Sequence, residues 1–437
     1  MKRDIYKELL VWKSDPTRRP VLIRGARQTG KTFIVNELGR NEFKQSIYIN
    51  FERNPEYKEI FDTYVPAEII EKIALFTAKK VEAGNTLLFL DEIQDCPNAI
   101  VSLRYFYEEM PDLHVIGAGS LLEFALKSED FKMPVGRIQY LYLYPLSFGE
   151  FLDALGENEL RNYIAQFDNL GKIPTSLHEK IITLVRKYYY IGGMPAVVSE
   201  YVKTQDVLKC QRIQQSIIDT YIDDFGKYAK RVKHEIMRKV FSTIPSALGQ
   251  KYVYANIDRQ LKSREIKEAL ELLETAGVIT RVRMSNGSGL PLSSNADDLF
   301  FKVIFLDIGL FHAISGIYAE TAIEKELTAI YKGAVTEQFV GQELIANMSP
   351  YRKAELYYWV RKAKNSTAEV DYLIERGNKI TPIEVKSGTI AHMKSIFMFL
   401  EKYQVEEGIK ISQTMFEHKK PIYSLPFYGI EAMMKRN

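Results

Sequence analysis

Cysteine is nearly absent from this sequence: Cys96 and Cys210 are the only two among 437 residues. Two thiols so far apart build neither a disulfide framework nor a metal cluster. The expectation is a pair of reduced, inert side chains in a cytoplasmic protein. Long hydrophobic runs are missing too. No stretch approaches the roughly 20 apolar residues of a membrane span, and no signal-peptide core follows Met1-Lys2-Arg3-Asp4, so a soluble protein with no membrane partner is expected. There is little excess of charge. A net charge of +3 is too mild to call for nucleic acid by itself, so any basic surface must be local. Repeats and low-complexity linkers are also lacking. What remains is an ordinary globular composition, 46% hydrophobic and 26% charged, long enough for two or three domains.

The stretch that organises the chain is Gly25-Ala26-Arg27-Gln28-Thr29-Gly30-Lys31-Thr32, which fits the phosphate-loop pattern G-x-x-x-x-G-K-[ST] at every fixed position. Gly25 and Gly30 let the backbone curl so that successive N–H groups face phosphate oxygens. Lys31 brings a cation to the β- and γ-phosphates, and the Thr32 hydroxyl suits a magnesium ion. The apolar run Val21-Leu22-Ile23 predicts a buried strand before the loop, and Phe33 to Leu38 a helix after it, with its dipole aimed at the phosphates. The candidates for nucleotide binding are Gly25, Arg27, Gln28, Thr29, Gly30, Lys31, Thr32 and Phe33.

Thr86-Leu87-Leu88-Phe89-Leu90-Asp91-Glu92 reads as a buried strand with two acids at its C-terminal end, where parallel sheets bind ligands. Asp91 is placed to hold magnesium, and Glu92 to orient and deprotonate the attacking water. His114 to Gly117 is a further strand. Ser120 after it either senses the γ-phosphate or caps the helix that begins at Leu121. Arg137, before the strand-like Ile138 to Tyr144, is a candidate to stabilise the transferred phosphoryl group, from its own chain or a neighbour, against the alternative of a surface arginine.

Gly25 to Thr32, Leu87 to Glu92, Gly119-Ser120 and the stretch Tyr144-Pro145-Leu146-Ser147-Phe148-Gly149-Glu150-Phe151 together resemble a bacterial and archaeal family of AAA-type ATPases. In that family the ATPase is fused to a poorly characterised C-terminal domain. The resemblance implies a parallel sheet with an extra strand between the loop strand and the Asp91 strand. Tyr188 to Ala196, with Gly192-Gly193 and Pro195, resembles another marker of the family and predicts a turn between helices.

Ser246 to Val282 looks like a winged helix-turn-helix, with a helix over Arg264 to Thr275 and a wing strand from Val278. Glu265, Glu268, Glu271 and Glu274 on the exposed side argue for packing on protein rather than entering a DNA groove. Any DNA contact is expected through Lys251, Arg259, Lys262, Arg281 or Arg283. Farther on, Gly333 to Ile345 reads as a helix with Glu337 and Glu343, and Glu355 to Val360 as a strand. Glu369 to Glu375 and Lys379 to Lys386 form a hairpin. Glu384 and Lys386 share one face of their strand, and Asp371 can join them from its partner. Two carboxylates and a lysine at one edge can bind magnesium and activate a water against a phosphodiester. This constellation resembles the core of the PD-(D/E)xK nuclease superfamily, with Glu337 as the helix acid and Glu343 as second choice. The resemblance makes Glu337, Asp371 and Glu384 metal ligands and Lys386 the catalytic lysine. Pro382 suggests a strand at an edge or after a bulge.

The expectation is thus an α/β chain in three parts: an AAA-type P-loop ATPase (1–155), a helical and winged-helix middle (156–300) and a restriction-endonuclease-like domain (301–437). It is read as an ATP- and magnesium-dependent hydrolase and nucleotide switch coupled to a nucleic-acid-acting domain. The alternative is an ATP-dependent protein-binding or remodelling factor with an inactive nuclease-like domain. DNA, another protein and self-association all stay open as partners.

Overall fold

The computed structural model describes residues 1–126, 136–228, 231–254, 257, 261–316, 329–361, 368–388 and 393–436. The chain divides into two compact units. One comprises Lys2–Tyr144 with Ser349–Lys353, the other Met1, Pro145–Met348 and Ala354–Asn437.

The first unit is built on strands β1 (Val21–Arg24), β2 (Gln45–Asn50), β3 (Thr86–Asp91), β4 (His114–Ala118) and β5 (Gln139–Tyr142). Their order is β2-β3-β4-β1-β5, and all neighbours run parallel. A sheet of this kind is covered on both faces, so its strands are apolar without alternation. Alternate residues feed opposite cores: Leu22, Leu88 and Leu90 pack with Phe106, whereas Val21, Ile23, Leu87 and Phe89 pack with Trp12 and Leu38. Each such side chain contributes about 1.5–3 kcal/mol by leaving water. β4 lies between β1 and β3, as the AAA-type resemblance implies. The register sets Ile23 and Asp91 each beside Ala118. The phosphate loop, Asp91-Glu92 and Gly119-Ser120 therefore emerge at one edge. Ser349–Lys353 joins this unit beside β5, where Tyr142 N donates to Pro350 O at 2.8 Å and Tyr351 OH donates to Glu8 Oε2 at 2.6 Å. Nothing in the sequence marks that return.

In the second unit, the Pro-Leu-Ser-Phe and Gly-Gly stretches meet. Ser147 caps the helix Phe148–Ala154 and exchanges hydrogen bonds with Glu150. Leu146 N donates to Gly193 O at 2.7 Å, and Gly193 N to Asp307 Oδ2 at 2.6 Å. The turn at Gly192-Gly193 joins helices Thr175–Ile191 and Pro195–Thr204 as expected.

The strands of this unit are β6 (Ile279–Ser285), β7 (Ala296–Phe305), β8 (Leu356–Val360), β9 (Glu369–Arg376), β10 (Lys379–Lys386), β11 (Gly408–Ser412), β12 (Glu417–Lys419) and β13 (Ile422–Pro426). They form one sheet in the order β12-β13-β11-β10-β9-β8-β6-β7. The winged-helix expectation needs revision at this point. The helix Ser263–Thr275 and the hairpin β6–β7 exist, but β6 also pairs in parallel with β8. With both edges of β6 occupied and Val282 and Met284 buried, the hairpin extends the C-terminal sheet rather than standing off as a wing. β7 likewise runs across the boundary expected at 300/301. From the helix Ala329–Ala346 the order is helix, β8, β9, β10, helix Lys394–Tyr403, β11. β10 is an interior strand, paired to β9 and β11, which corrects the edge-strand reading of Pro382. The ladder with β11 starts at Ile383, one residue after the proline.

Candidate functional site

The phosphate loop is closed and pre-curved. Gly25 has φ 150°, and a Cβ there would stand 2.2 Å from Leu143 O, so no side chain fits. Gln28 (φ 62°) and Gly30 (φ 95°) complete the curl, and the helix Lys31–Glu42 follows at once. Lys31 Nζ donates to Gly25 O at 2.9 Å and Ala26 O at 2.7 Å, so the loop's own carbonyls hold the ammonium. Burial lowers its pKa to about 8, against the pull of Glu92 and Asp91. Thr29 is buried and donates to Ala26 O at 3.0 Å, so its side chain braces the loop. Phe33 is half exposed on the helix.

Arg3 is a residue that sequence reasoning missed. It is 7% exposed, with Nη1 donating to Thr29 O at 2.9 Å and Nη2 to Tyr144 O at 2.6 Å. It ties the loop to the chain beyond β5. No motif or spacing links residue 3 to this loop.

Asp91 Oδ2 accepts from Thr32 Oγ1 at 3.0 Å, Tyr48 OH at 2.8 Å and Asn50 Nδ2 at 3.3 Å. Burial raises its pKa; the hydrogen bonds from Tyr48 and Thr32 act against this. Thr32 and Asp91 thus offer hard oxygens side by side, a donor set that suits magnesium. Tyr48 and Asn50 were not foreseen, although their strand β2 flanks β3. Glu92 adopts a left-handed backbone (φ 47°), a strained turn that is common at functional positions. Its Oε2 accepts from Gln94 Nε2 at 2.8 Å, Ser120 N at 3.1 Å and Ser120 Oγ at 3.2 Å, and Arg27 Nε donates to the same Ser120 Oγ at 3.2 Å. Ser120 therefore sits between Glu92 and the phosphate loop rather than merely capping a helix. A Cβ on Gly119 would lie 1.9 Å from Gln94 Oε1, so a side chain there would displace the amide that donates to Glu92.

Arg137 is placed elsewhere. Gln139 pairs with Val21 at the start of β1, so Arg137 lies at the end of the sheet opposite the phosphate loop. Its Nε donates to Glu108 Oε1 at 2.9 Å. The reading in which Arg137 serves its own nucleotide is corrected by this parallel register.

In the second unit Glu337, Asp371, Glu384 and Lys386 come together, while Glu343 does not join them. Glu343 is buried and accepts from Phe148 N at 2.8 Å; burial raises its pKa to about 8. Asp371 Oδ2 accepts from Val385 N at 2.7 Å, and Lys386 Nζ donates to Glu384 Oε1 at 2.6 Å. Glu337, Asp371, Val385 and Lys386 border a cleft of about 760 Å³, together with Ser246 and Gly249. Sequence reasoning missed Lys302 of β7. It is 1% exposed, and its Nζ lies 2.7 Å from Glu337 Oε1, in contact with Glu369 Oε1, and 3.8 Å from Asp371 Oδ1. Burial alone would lower the Lys302 pKa; Glu337, Asp371 and Glu369 overturn this and hold it above the usual lysine range. Burial pushes Glu337 up, with Lys302 pulling it down. Burial and Asp371 push Glu384 up. Among the described residues no group of three or more His, Cys, Asp and Glu is arranged to hold a metal ion. The expected ligand set Glu337, Asp371 and Glu384 thus does not fit magnesium as it stands, because an ammonium is already bonded among the acids.

The expected DNA contacts are largely engaged. Arg281 Nε donates to Glu274 Oε2 at 2.7 Å, and Arg283 pairs with Glu274 at 3.4 Å and Asp298 at 3.0 Å. Lys251 lies over the Phe300 ring at 3.9 Å. Lys262 is exposed at the start of its helix, and Arg259 falls outside the described residues.

Residues 17–152 match the profile of an AAA domain, and the first unit is accordingly an AAA-type P-loop ATPase domain. Residues 182–321 and 332–428 match two further profiles, each described as a domain of unknown function (DUF8612 and DUF4143). No curated protein matches the chain. Among solved structures, the Aeropyrum pernix ORC1 protein in complex with DNA is 14% identical, with 72% of this chain and 93% of that one covered and a TM-score of 0.30. The Thermotoga maritima RuvB Holliday junction branch migration motor is 17% identical, with 64% and 90% covered and a TM-score of 0.31. AMPPCP-bound DnaA from Aquifex aeolicus is 14% identical, with 62% and 86% covered and a TM-score of 0.25. Likenesses this loose carry no argument about what the chain does. Among the described residues no helix is long and apolar enough to cross a membrane.

Proposed function

We propose that the chain is a magnesium-dependent ATP hydrolase working as a nucleotide switch, joined to a unit of nuclease-like fold. The observation that carries this reading is the convergence of Lys31, Thr32, Asp91, Glu92 and Ser120 at one edge of a parallel sheet. Thr32 and Asp91 would hold magnesium, which when bound neutralises charge on the β- and γ-phosphates. The loop amides and Lys31 bind the triphosphate, and Lys31 leaves its carbonyl partners to do so. Glu92 accepts a proton from the water whose oxygen attacks the γ-phosphorus, and ADP departs. Glu92 and Ser120 are hydrogen-bonded to each other. A γ-phosphate competing for the Ser120 hydroxyl frees Glu92 for the water, and this rearrangement is the switch.

The order helix, three strands, helix, strand, with Glu337, Asp371, Glu384 and Lys386 close together, supports the nuclease-like fold and a nucleic-acid partner for the second unit. One observation favours the protein-binding alternative: Arg281 and Arg283, the expected phosphate contacts, are neutralised by Glu274 and Asp298.

Single-turnover hydrolysis tests the first claim. Lys31→Ala should lose nucleotide binding. Glu92→Gln should bind ATP and hydrolyse it about 10²–10⁴-fold more slowly, the range for a lost general base. Undiminished hydrolysis by Glu92→Gln would refute the assignment.

A further inference from the structure

The acidic cluster of the second unit carries its own cation. Lys302 comes from β7, outside the helix-strand-hairpin constellation that suggested a nuclease. Yet its ammonium is placed against two carboxylates of that constellation, Glu337 on the helix and Asp371 on β9, and against Glu369, also on β9. A buried lysine survives only if acidic partners compensate its charge, and here three do so. Its position is fixed from several sides. The side chain is buried, and the ammonium is 5.4 Å from the centre of the Tyr358 ring. Tyr372 OH donates to Glu337 O at 2.8 Å and steadies the helix that carries this acid.

We propose that Lys302 stands in place of a divalent metal, so that the second unit is a nuclease-like fold that neither binds magnesium at these acids nor cuts phosphodiesters. The inference rests on the nuclease-like reading of this unit and is independent of the ATPase reading. Three features support it. A divalent ion entering from the cleft meets two carboxylates, Glu337 and Asp371, that are already bonded, one to Lys302 and the other to Val385 N. It must also approach a fixed ammonium, a like-charge encounter at hydrogen-bonding range. The third acid, Glu384, does not border the cleft: it is buried, and its Oε1 is bonded to Lys386. Magnesium demands near-octahedral oxygen geometry with several waters, and the acids reach that arrangement only if Lys302 leaves. The charge pattern that resembles a nuclease can thus be present in a sequence while a lysine from a distant strand fills its centre.

The test is manganese binding to the nucleotide-free full chain, followed by electron paramagnetic resonance, with wild type, Lys302→Met and Asp371→Asn. Wild type should show no site that depends on Asp371. Lys302→Met should gain one Mn²⁺ site, and Mn²⁺ should raise the variant's melting temperature. Two results would overturn the proposal. One is a wild-type Mn²⁺ site lost in Asp371→Asn, which would show the metal and Lys302 coexisting. The other is a folded Lys302→Met protein that still ignores Mn²⁺, which would show that the acids are not a metal-type site at all and would remove the nuclease-like reading as well. Should Lys302→Met fail to fold, the wild-type and Asp371→Asn comparison still decides, alongside magnesium-dependent cleavage of single- and double-stranded DNA by wild type. Cleavage abolished by Asp371→Asn would refute the proposal. ATP turnover, measured on the same samples, separates these outcomes from any failure of the ATPase reading.

Discussion

Replacing Lys302 with methionine keeps the side-chain volume and removes the ammonium. Glu337 and Asp371, with side chains 12% and 17% exposed, then face each other without a counterion, while Glu369, at 33%, remains partly screened by water. Removing one partner of a buried ion pair costs about 3–5 kcal/mol, against about 0–1 kcal/mol for a surface pair. At roughly 2–4 °C per kcal/mol for a unit of this scale, the melting transition should fall on the order of 10 °C. The chain has two units, so the assay must separate them. The transition that nucleotide leaves in place reports the second unit. The pH dependence carries a sign. In wild type the folded-state pKa of Lys302 lies above the ordinary lysine value, so its contribution is complete at neutral pH and is lost only on titration above the lysine range. In the variant, Glu337 loses its lowering partner, and its pKa, already raised by burial, rises further. A carboxyl with a raised folded pKa destabilises once ionised, so the deficit should shrink as pH falls toward about 5. Glu337→Gln in the same background should recover part of the loss. A deficit below about 1 kcal/mol, or one equal at pH 5 and pH 8, would refute the buried-pair account.

Three further outcomes follow from the first unit. Nucleotide affinity should weaken as pH rises through about 8, because burial lowers the Lys31 pKa to that value and the phosphates require the ammonium; calorimetry in buffers of different ionisation enthalpy should show proton uptake on binding above pH 8. Arg3→Met removes two charge-assisted hydrogen bonds to Thr29 O and Tyr144 O, each worth about 1.5–3 kcal/mol, and should both lower the unit's melting temperature and raise the nucleotide Kd. Arg137→Ala should leave ATP turnover at high dilution unchanged, since this residue lies at the far end of the sheet; a loss seen only at concentrations where copies associate would place it in a neighbour's site.

The first unit was legible because its signals are local. The glycine loop, the apolar strands and the acids after Leu90 each depend on neighbours in sequence, and the parallel sheet collects their ends at one edge. Arg3, Tyr48 and Gln94 escaped notice because they act through tertiary hydrogen bonds with no fixed spacing. Pro145-Leu146-Ser147-Phe148 had no visible chemistry until the fold supplied it. Ser147 caps a helix, and Phe148 N meets Glu343, nearly two hundred residues away. The wing was misread because a hairpin looks the same in sequence whether or not its outer edge finds another strand. Lys302 was invisible for a similar reason: an isolated lysine in an apolar strand says nothing about which acids it will meet.

The central claim is that the γ-phosphate rearranges the contacts among Arg27, Ser120 and Glu92. It is tested most directly by amide hydrogen exchange at Ser120, whose N–H donates to Glu92 Oε2 at 3.1 Å. The account predicts that a non-hydrolysable ATP analogue changes protection at Ser120 and Gln94 relative to ADP at saturating magnesium. Identical protection in the two nucleotide states, with binding of both confirmed, would contradict it.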